Sequence, residues 1–229
     1  MSHPRKLSKN FSVKKARKIQ ICLSKKIILE DNLPKQIRTV AGVDVSYFGE
    51  AGVGAVAVLD YESLKLLECQ VATCQVRMPY IPTLLAFREI PPAMAAIRKL
   101  KIQPDVLLAD AQGWAHPYRC GFASYLGLAL GKPTIGAAKS RLIGEPVDMR
   151  GQMFLVDKNE VVGASVTTKQ AAKPIFVSVG HMISLDTSIK IILHCSKTRI
   201  PEPTLQAHCM ATKERNRLIE ESKVNIAEK

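Results

Sequence analysis

The sequence predicts an α/β protein, a mixed β-sheet with helices packed on it. Three observations carry this. Three strand-like stretches between Thr39 and Arg77 are joined by short polar or Gly-containing breaks near 49–52 and 61–65, the pattern of an antiparallel meander. A helical section then leads into a short, wholly apolar run, Val106–Ala109, of the kind buried as a parallel strand. A second helical section leads into another buried strand, Pro133–Ala138. A crossover helix between such strands makes the sheet mixed.

Each element has its own signal. Over residues 11–30, Val13, Ala16, Ile19, Leu23 and Ile27 recur at spacings of three or four, which predicts a basic amphipathic helix. Thr39–Phe48 is rich in β-branched and aromatic residues, Val53–Asp60 is apolar and small, and Leu66–Arg77 is extended. Pro82–Leu100 is helical, with Pro91-Pro92 expected to end one short helix and open the next. Residues 119–130 read as a helix stopped by Gly131, with Pro133 beyond. Stretches 151–156, 161–168 and 174–180 read as further strands, and Leu185–Cys195 and Thr204–Glu221 as closing helices. Neither a repeat nor a long linker divides residues 1–229, so a single domain is expected.

Composition narrows the function. The 229 residues are 47% hydrophobic and 23% charged, as in a soluble globular protein with a core of its own. The net charge of +13 calls for an anionic partner, and nucleic acid is the commonest. Residues 1–26 carry nine Lys or Arg and no acid, which leaves only +4 on the rest of the chain. This basic arm lacks the apolar stretch of a signal peptide and has too few apolar residues for deep insertion into a membrane surface. No apolar run approaches the ~20 residues of a membrane span. The six cysteines form neither CxxC pairs nor zinc-like spacings, and read as reduced thiols of a cytoplasmic protein.

Three acids stand where apolar residues are expected. Asp44 lies inside Val43-Asp44-Val45, and two-residue alternation puts it on one face with Gly42 and Ser46. A mid-strand carboxylate is costly unless it is paired or bound to a cation. Asp110 ends the run Val106–Ala109, and the carboxyl ends of parallel strands are where open α/β sheets place their sites. Glu89 falls just before Pro91-Pro92. For Asp110 a cap is the competing reading, and for Glu89 an ion pair. Taken together on a basic protein, the three hard oxygen ligands point to Mg²⁺ or Mn²⁺ and phosphodiester chemistry.

The stretch Arg77-Met78-Pro79-Tyr80-Ile81-Pro82 is a stiff extended loop presenting an aromatic. Two readings stay open for Tyr80: a wedge entering a base stack, or a turn residue packed on the core.

In order along the chain stand Gly42-Val43-Asp44-Val45-Ser46-Tyr47; Pro79-Tyr80-Ile81-Pro82 with Leu85-Ala86-Phe87-Arg88-Glu89; and Asp110-Ala111-Gln112-Gly113 with Ala115-His116-Pro117. Ala138-Lys139-Ser140-Arg141-Leu142, Phe176-Val177-Ser178 with Gly180-His181, and Arg199-Ile200-Pro201-Glu202-Pro203-Thr204 follow. This succession, spanning most of residues 15–210, resembles the motifs of the endonuclease V family, with a composition like that of an archaeal member. The resemblance implies a ribonuclease H-like mixed sheet with helices on both faces. It implies a Mg²⁺-dependent endonuclease, with Mn²⁺ as substitute, acting on DNA that contains deaminated bases, chiefly hypoxanthine. It implies a cut at the second phosphodiester bond 3′ to the lesion, leaving 3′-hydroxyl and 5′-phosphate ends.

Residue by residue, the resemblance makes Asp44, Asp110 and Glu89 the metal ligands. Lys139 would stand near the scissile phosphate and His208 would assist at the metal site, with an ordinary helix-surface histidine as its alternative. Tyr80, Ile81 and Pro82 form the wedge. Gly113, His116, Ser140 and Arg141 join Lys139 in contacting DNA, with the Gly113 backbone reading the base edge or serving as a plain turn. Thr83, Ala111, Gln112 and Tyr118 depart from the usual pattern, which leaves the breadth of lesions open. The competing functions are an endoribonuclease acting on inosine in RNA and a non-catalytic nucleic-acid-binding protein. A monomer is expected.

Overall fold

The structure, a computed structural model, describes residues 11–76 and 78–227. The basic arm's first ten residues therefore lie outside the described part, as does Arg77. The predicted N-terminal helix is α1 (Val13–Ser24), shorter than expected and capped by the Ser12 side chain, which accepts from Lys15 N. Its buried face differs from the predicted one. Ala16 and Gln20 are buried, whereas Ile19 is 37% exposed.

β1 (Thr39–Phe48), β2 (Ala51–Asp60) and β3 (Leu66–Gln75) form the expected antiparallel meander. α2 (Leu85–Ile97) then crosses to β4 (Val106–Ala109), which pairs parallel with β1. α3 (Phe122–Leu130), ended by left-handed Gly131, leads to β5 (Thr134–Ala138), parallel to β4. β6 (Glu145–Met149), β7 (Gln152–Asp157), β8 (Glu160–Val166) and β9 (Ile175–His181) follow, then α4 (Leu185–His194) and α5 (Glu202–Ala227). The described strands make one sheet of nine, in the order β3-β2-β1-β4-β5-β9-β8-β7-β6.

Two points differ from the sequence reading. α2 runs unbroken through Pro91 and Pro92. Each proline removes a helical N–H and costs about 3 kcal/mol in an isolated helix. Here the helix is held from outside, because Ala86, Pro92, Ala93, Ala96 and Ile97 are buried against the sheet. Tertiary burial overrides local propensity. β6 carries no strand signal, since all five of its residues are exposed. It is an edge strand, where Pro146 is tolerated because one rim of N–H groups has no ladder partner.

Core clusters lie on both faces. Val43, Val56, Leu107 and Ala109 pack under α2 and α3, while Val40, Leu108, Ile135 and Val177 pack with α4 and with Ala207 of α5. Gly42 admits α5 to the second face. A Cβ there would come within 1.9 Å of the Pro203 carbonyl oxygen. This close approach carries α5 across β1 and brings His208 over Asp44.

Candidate active site

The middle of β1 and the carboxyl end of β4 found the site. The parallel ladder of β1 with β4 ends at the pair Val43–Ala109. Asp44 and Asp110 are the next residue on each strand, so they stand side by side beyond the last pair. Asp44 shares its face with Gly42 and Ser46, and this face meets α5: Ser46 Oγ donates to the Ala211 carbonyl at 2.9 Å. His208 Nδ1 donates to Asp44 Oδ2 at 2.8 Å. Lys139, just past β5, pairs through Nζ with Asp110 Oδ2.

Glu89 comes from α2 on the other side of β1. The neighbouring Arg88 guanidinium is turned toward Tyr47. It lies over the Tyr47 ring, 3.9 Å from the centroid. Burial, then the charge of Asp44, pushes the Glu89 carboxyl up to about 8, with Arg88 opposing and Asp110 adding to the rise. Burial also raises Asp110, against the lowering pull of Lys139. Among the described residues, no three His, Cys, Asp or Glu side chains converge closely enough to ligate one ion. The donor set itself suits a divalent cation: three carboxylates from three separate segments of the chain, with only oxygen atoms to offer.

A cavity of about 280 Å³ opens beside Asp110 and Lys139. Its lining includes Tyr80, Thr83, His116, Phe122 and Leu142. Tyr80 is 64% exposed, so the core-packing alternative does not hold. Leu84, four residues on, is fully buried and pins the loop. Ile81 is half-buried and Pro82 exposed.

His116 is buried. Its Nδ1 accepts from Tyr118 N at 3.2 Å, so Nε2 carries the proton and donates to the Thr83 carbonyl at 3.1 Å. Burial pushes its pKa down to about 4, so it is neutral at physiological pH. Behind it, Glu160 accepts from Trp114 Nε1 at 2.7 Å and from Arg119 Nε at 2.8 Å, bracing the loop after β4.

Two predicted DNA contacts are otherwise engaged. The Gly113 N–H donates to Ser178 Oγ at 2.9 Å and is buried, so it is not free to read a base edge. Glycine is required there for packing, because a Cβ would sit 2.1 Å from the Val179 carbonyl oxygen. Arg141 bonds within its own turn, to the Gly144 carbonyl at 2.6 Å and Glu145 at 2.7 Å. Ser140 is exposed at the cavity rim, and its carbonyl accepts from Gln112.

Two residues of the site were given no role by the sequence, although Arg199 opens the last of the ordered motifs. Arg199 donates to the carbonyls of Lys139 at 3.1 Å and Lys173 at 2.9 Å, steadying the backbone under Lys139. Gln20 donates to the Thr83 and Cys120 carbonyls at 2.8 and 3.1 Å. A glutamine at an apolar position of an amphipathic helix was the one available clue.

Carboxylates on neighbouring strands of a mixed sheet and on the helix packed against it, with a lysine and a cavity alongside, are the equipment of a nuclease with a ribonuclease H-like fold. The Endonuclease V family model matches residues 21–209. An Endonuclease V of Dictyoglomus turgidum is 50% identical over 208 residues, covering 89% of this chain and 91% of its own. One of Thermofilum pendens is 43% identical over 210 residues, covering 90% of each chain. The crystal structure of Ciona intestinalis Endonuclease V, 33% identical, superposes with a TM-score of 0.81 over 90% of this chain and 98% of that one. It was solved with a 24mer DNA containing an inosine followed by a ribo-adenosine. The chain belongs to the endonuclease V family and is a DNA-repair endonuclease.

Proposed function

We propose that this endonuclease recognises hypoxanthine in DNA and hydrolyses the second phosphodiester bond on its 3′ side. The observation that carries the reading is a cavity lined both by exposed Tyr80 and by Asp110 with Lys139. It offers a place for an extruded base within reach of a phosphodiester-cleaving centre. The DNA in the Ciona intestinalis structure contains an inosine, which supports this choice of lesion.

Asp44, Glu89 and Asp110 would hold Mg²⁺, with Mn²⁺ as a substitute. When bound, the ion supplies Lewis-acid stabilisation of charge on the phosphate oxygens. Glu89, whose carboxyl is pushed up chiefly by burial and further by the charge of Asp44, would have to be ionised to hold a cation. Lys139 is released from Asp110 and offers its charge to the scissile phosphate. His208, held by Asp44, orients the attacking water. Water oxygen bonds to phosphorus, the P–O3′ bond breaks, and the ends are a 3′-hydroxyl and a 5′-phosphate. Tyr80 fills the gap left by the extruded nucleotide, with Ile81 and Pro82 shaping the wedge. His116 keeps that wedge loop in place, and Ser140 lines the strand's path.

The experiment offers matched inosine-containing DNA and RNA strands with Mg²⁺ and maps the cut. Cleavage of DNA one nucleotide beyond the inosine's 3′ neighbour bond is expected. Cleavage of RNA alone would reassign the substrate to inosine in RNA. Binding without any cleavage would leave a non-catalytic binder.

A further inference from the structure

Gln20 is a fully buried amide on α1, where Ala16 is the other buried side chain. It precedes residue 21, where the family match begins. Both Nε2 hydrogens are spent on backbone carbonyls far away in sequence: Thr83, at the end of the wedge loop, and Cys120, in the loop that carries His116. Its Oε1 is buried with no partner among the described residues. An amide kept in the interior with half its bonding capacity unspent is costly. An apolar side chain of the same length would fill the space at less cost, so the two donated bonds account for the glutamine.

The Thr83 carbonyl accepts from Gln20 Nε2 and from His116 Nε2, which uses both its lone pairs. Thr83 needs this hold. Its φ is +71°, in the left-handed region, where a β-branched residue is strained. Released, it would drift toward ordinary backbone angles and turn the loop that ends in Tyr80, three residues earlier. Gln20 and His116 thus tie the wedge loop to α1 and to the loop after β4.

We propose that Gln20 is a positioning residue for lesion recognition, which locks the Thr83 carbonyl so that the Tyr80 loop is preformed before nucleic acid arrives. The proposal rests on the wedge reading of Tyr80. A preformed loop spares the ordering entropy that a loose one loses on binding. The saving applies only when the wedge is used. Binding of undamaged duplex, which leaves the stack closed, gains nothing from it.

The test is a double-mutant cycle. Wild type, Gln20→Met, Tyr80→Ala and the double variant are titrated in Ca²⁺ with a duplex carrying one deoxyinosine and with its undamaged counterpart. Gln20→Met should reduce the ratio of the two affinities about fivefold, the scale of one net hydrogen bond, with binding of undamaged duplex unchanged. In the Tyr80→Ala background it should change the ratio less than about twofold, because residues acting through one element are not additive. Gln20→Asn, whose amide ends one methylene short, should behave like Gln20→Met and stands in where the methionine variant does not fold. A lowered melting temperature with an unchanged ratio would make Gln20 merely structural and overturn the proposal. So would an equal loss in both backgrounds. Tyr80→Ala without effect on the ratio would remove the wedge itself, and Gln20 would then have nothing to position.

Discussion

His208 and Asp44, 164 residues apart in the chain, meet at 2.8 Å between Nδ1 and Oδ2. The contact depends on Gly42, two residues before Asp44 on the same face, where the absent side chain lets α5 lie against β1. It makes His208 a partner of the carboxylate centre and removes the reading of it as a plain surface histidine.

Asp44→Asn or Asp110→Asn should abolish cleavage of inosine-containing DNA in Mg²⁺ while lesion binding stays within about threefold of wild type, since neither side chain forms the wedge. Loss of a transition-state charge partner of this kind typically costs at least ~10²-fold in rate. Single-turnover rates and equilibrium binding on the same duplex separate the two effects. Near-normal cleavage by either variant would sink the assignment.

Glu89 gives a pH dependence of stability. Its folded pKa, about 8, lies above the ordinary 4.5, chiefly through burial. The folded state therefore holds the proton longer than the unfolded chain. The associated stability is fully present below about 4.5 and is lost as pH rises through about 8. Glu89→Gln should remove this loss. In EDTA the variant should match wild type at pH 5 and exceed it at pH 8 by on the order of 3 kcal/mol. Mg²⁺ should raise the wild-type melting temperature at pH 8 and leave Glu89→Gln little changed. Parallel melting curves for the two proteins across this range would refute the assignment.

Tyr80→Ala should lose affinity for inosine-containing duplex by roughly 5- to 150-fold, the equivalent of ~1–3 kcal/mol of base stacking. Undamaged duplex should be bound almost as before. Titrations in Ca²⁺ read both affinities, and equal losses on the two duplexes would make Tyr80 a general contact.

The lysines of α1 and of the two positions after it should set the salt dependence. Lys14, Lys15, Lys18, Lys25 and Lys26 are exposed, whereas Arg17 lies 5.3 Å from the Tyr118 ring centroid beside the cavity. Replacing the five lysines by Gln spares Gln20 and the buried face. If about half of them contact phosphates, the slope of log K against log salt should flatten by ~2. An unchanged slope would place the DNA elsewhere.

Much of this protein was legible along the chain because the signals were local. Alternation in β1 put Asp44 with Gly42 and Ser46, and an apolar run ending in Asp110 marked the carboxyl end of a buried parallel strand. The ordered motifs then named the family. The meander, α3 with its Gly131 stop, and the closing helices followed from periodicity and punctuation within a few residues. What the chain order could not contain was which faces meet. α2 stays whole through Pro91-Pro92 because the sheet buries it, and β6 forms because β7 offers an edge. Gly113 is needed for its nearness to Val179, while its N–H belongs to Ser178. Lys139 rests on Asp110, His208 on Asp44, and Gln20 under Thr83. Hydrophobic spacing specifies that a surface is buried. Only the packing of distant elements decides which polar group lies across from it, because a hydrogen bond needs its partner within about 3 Å and sequence separation places no bound on that distance.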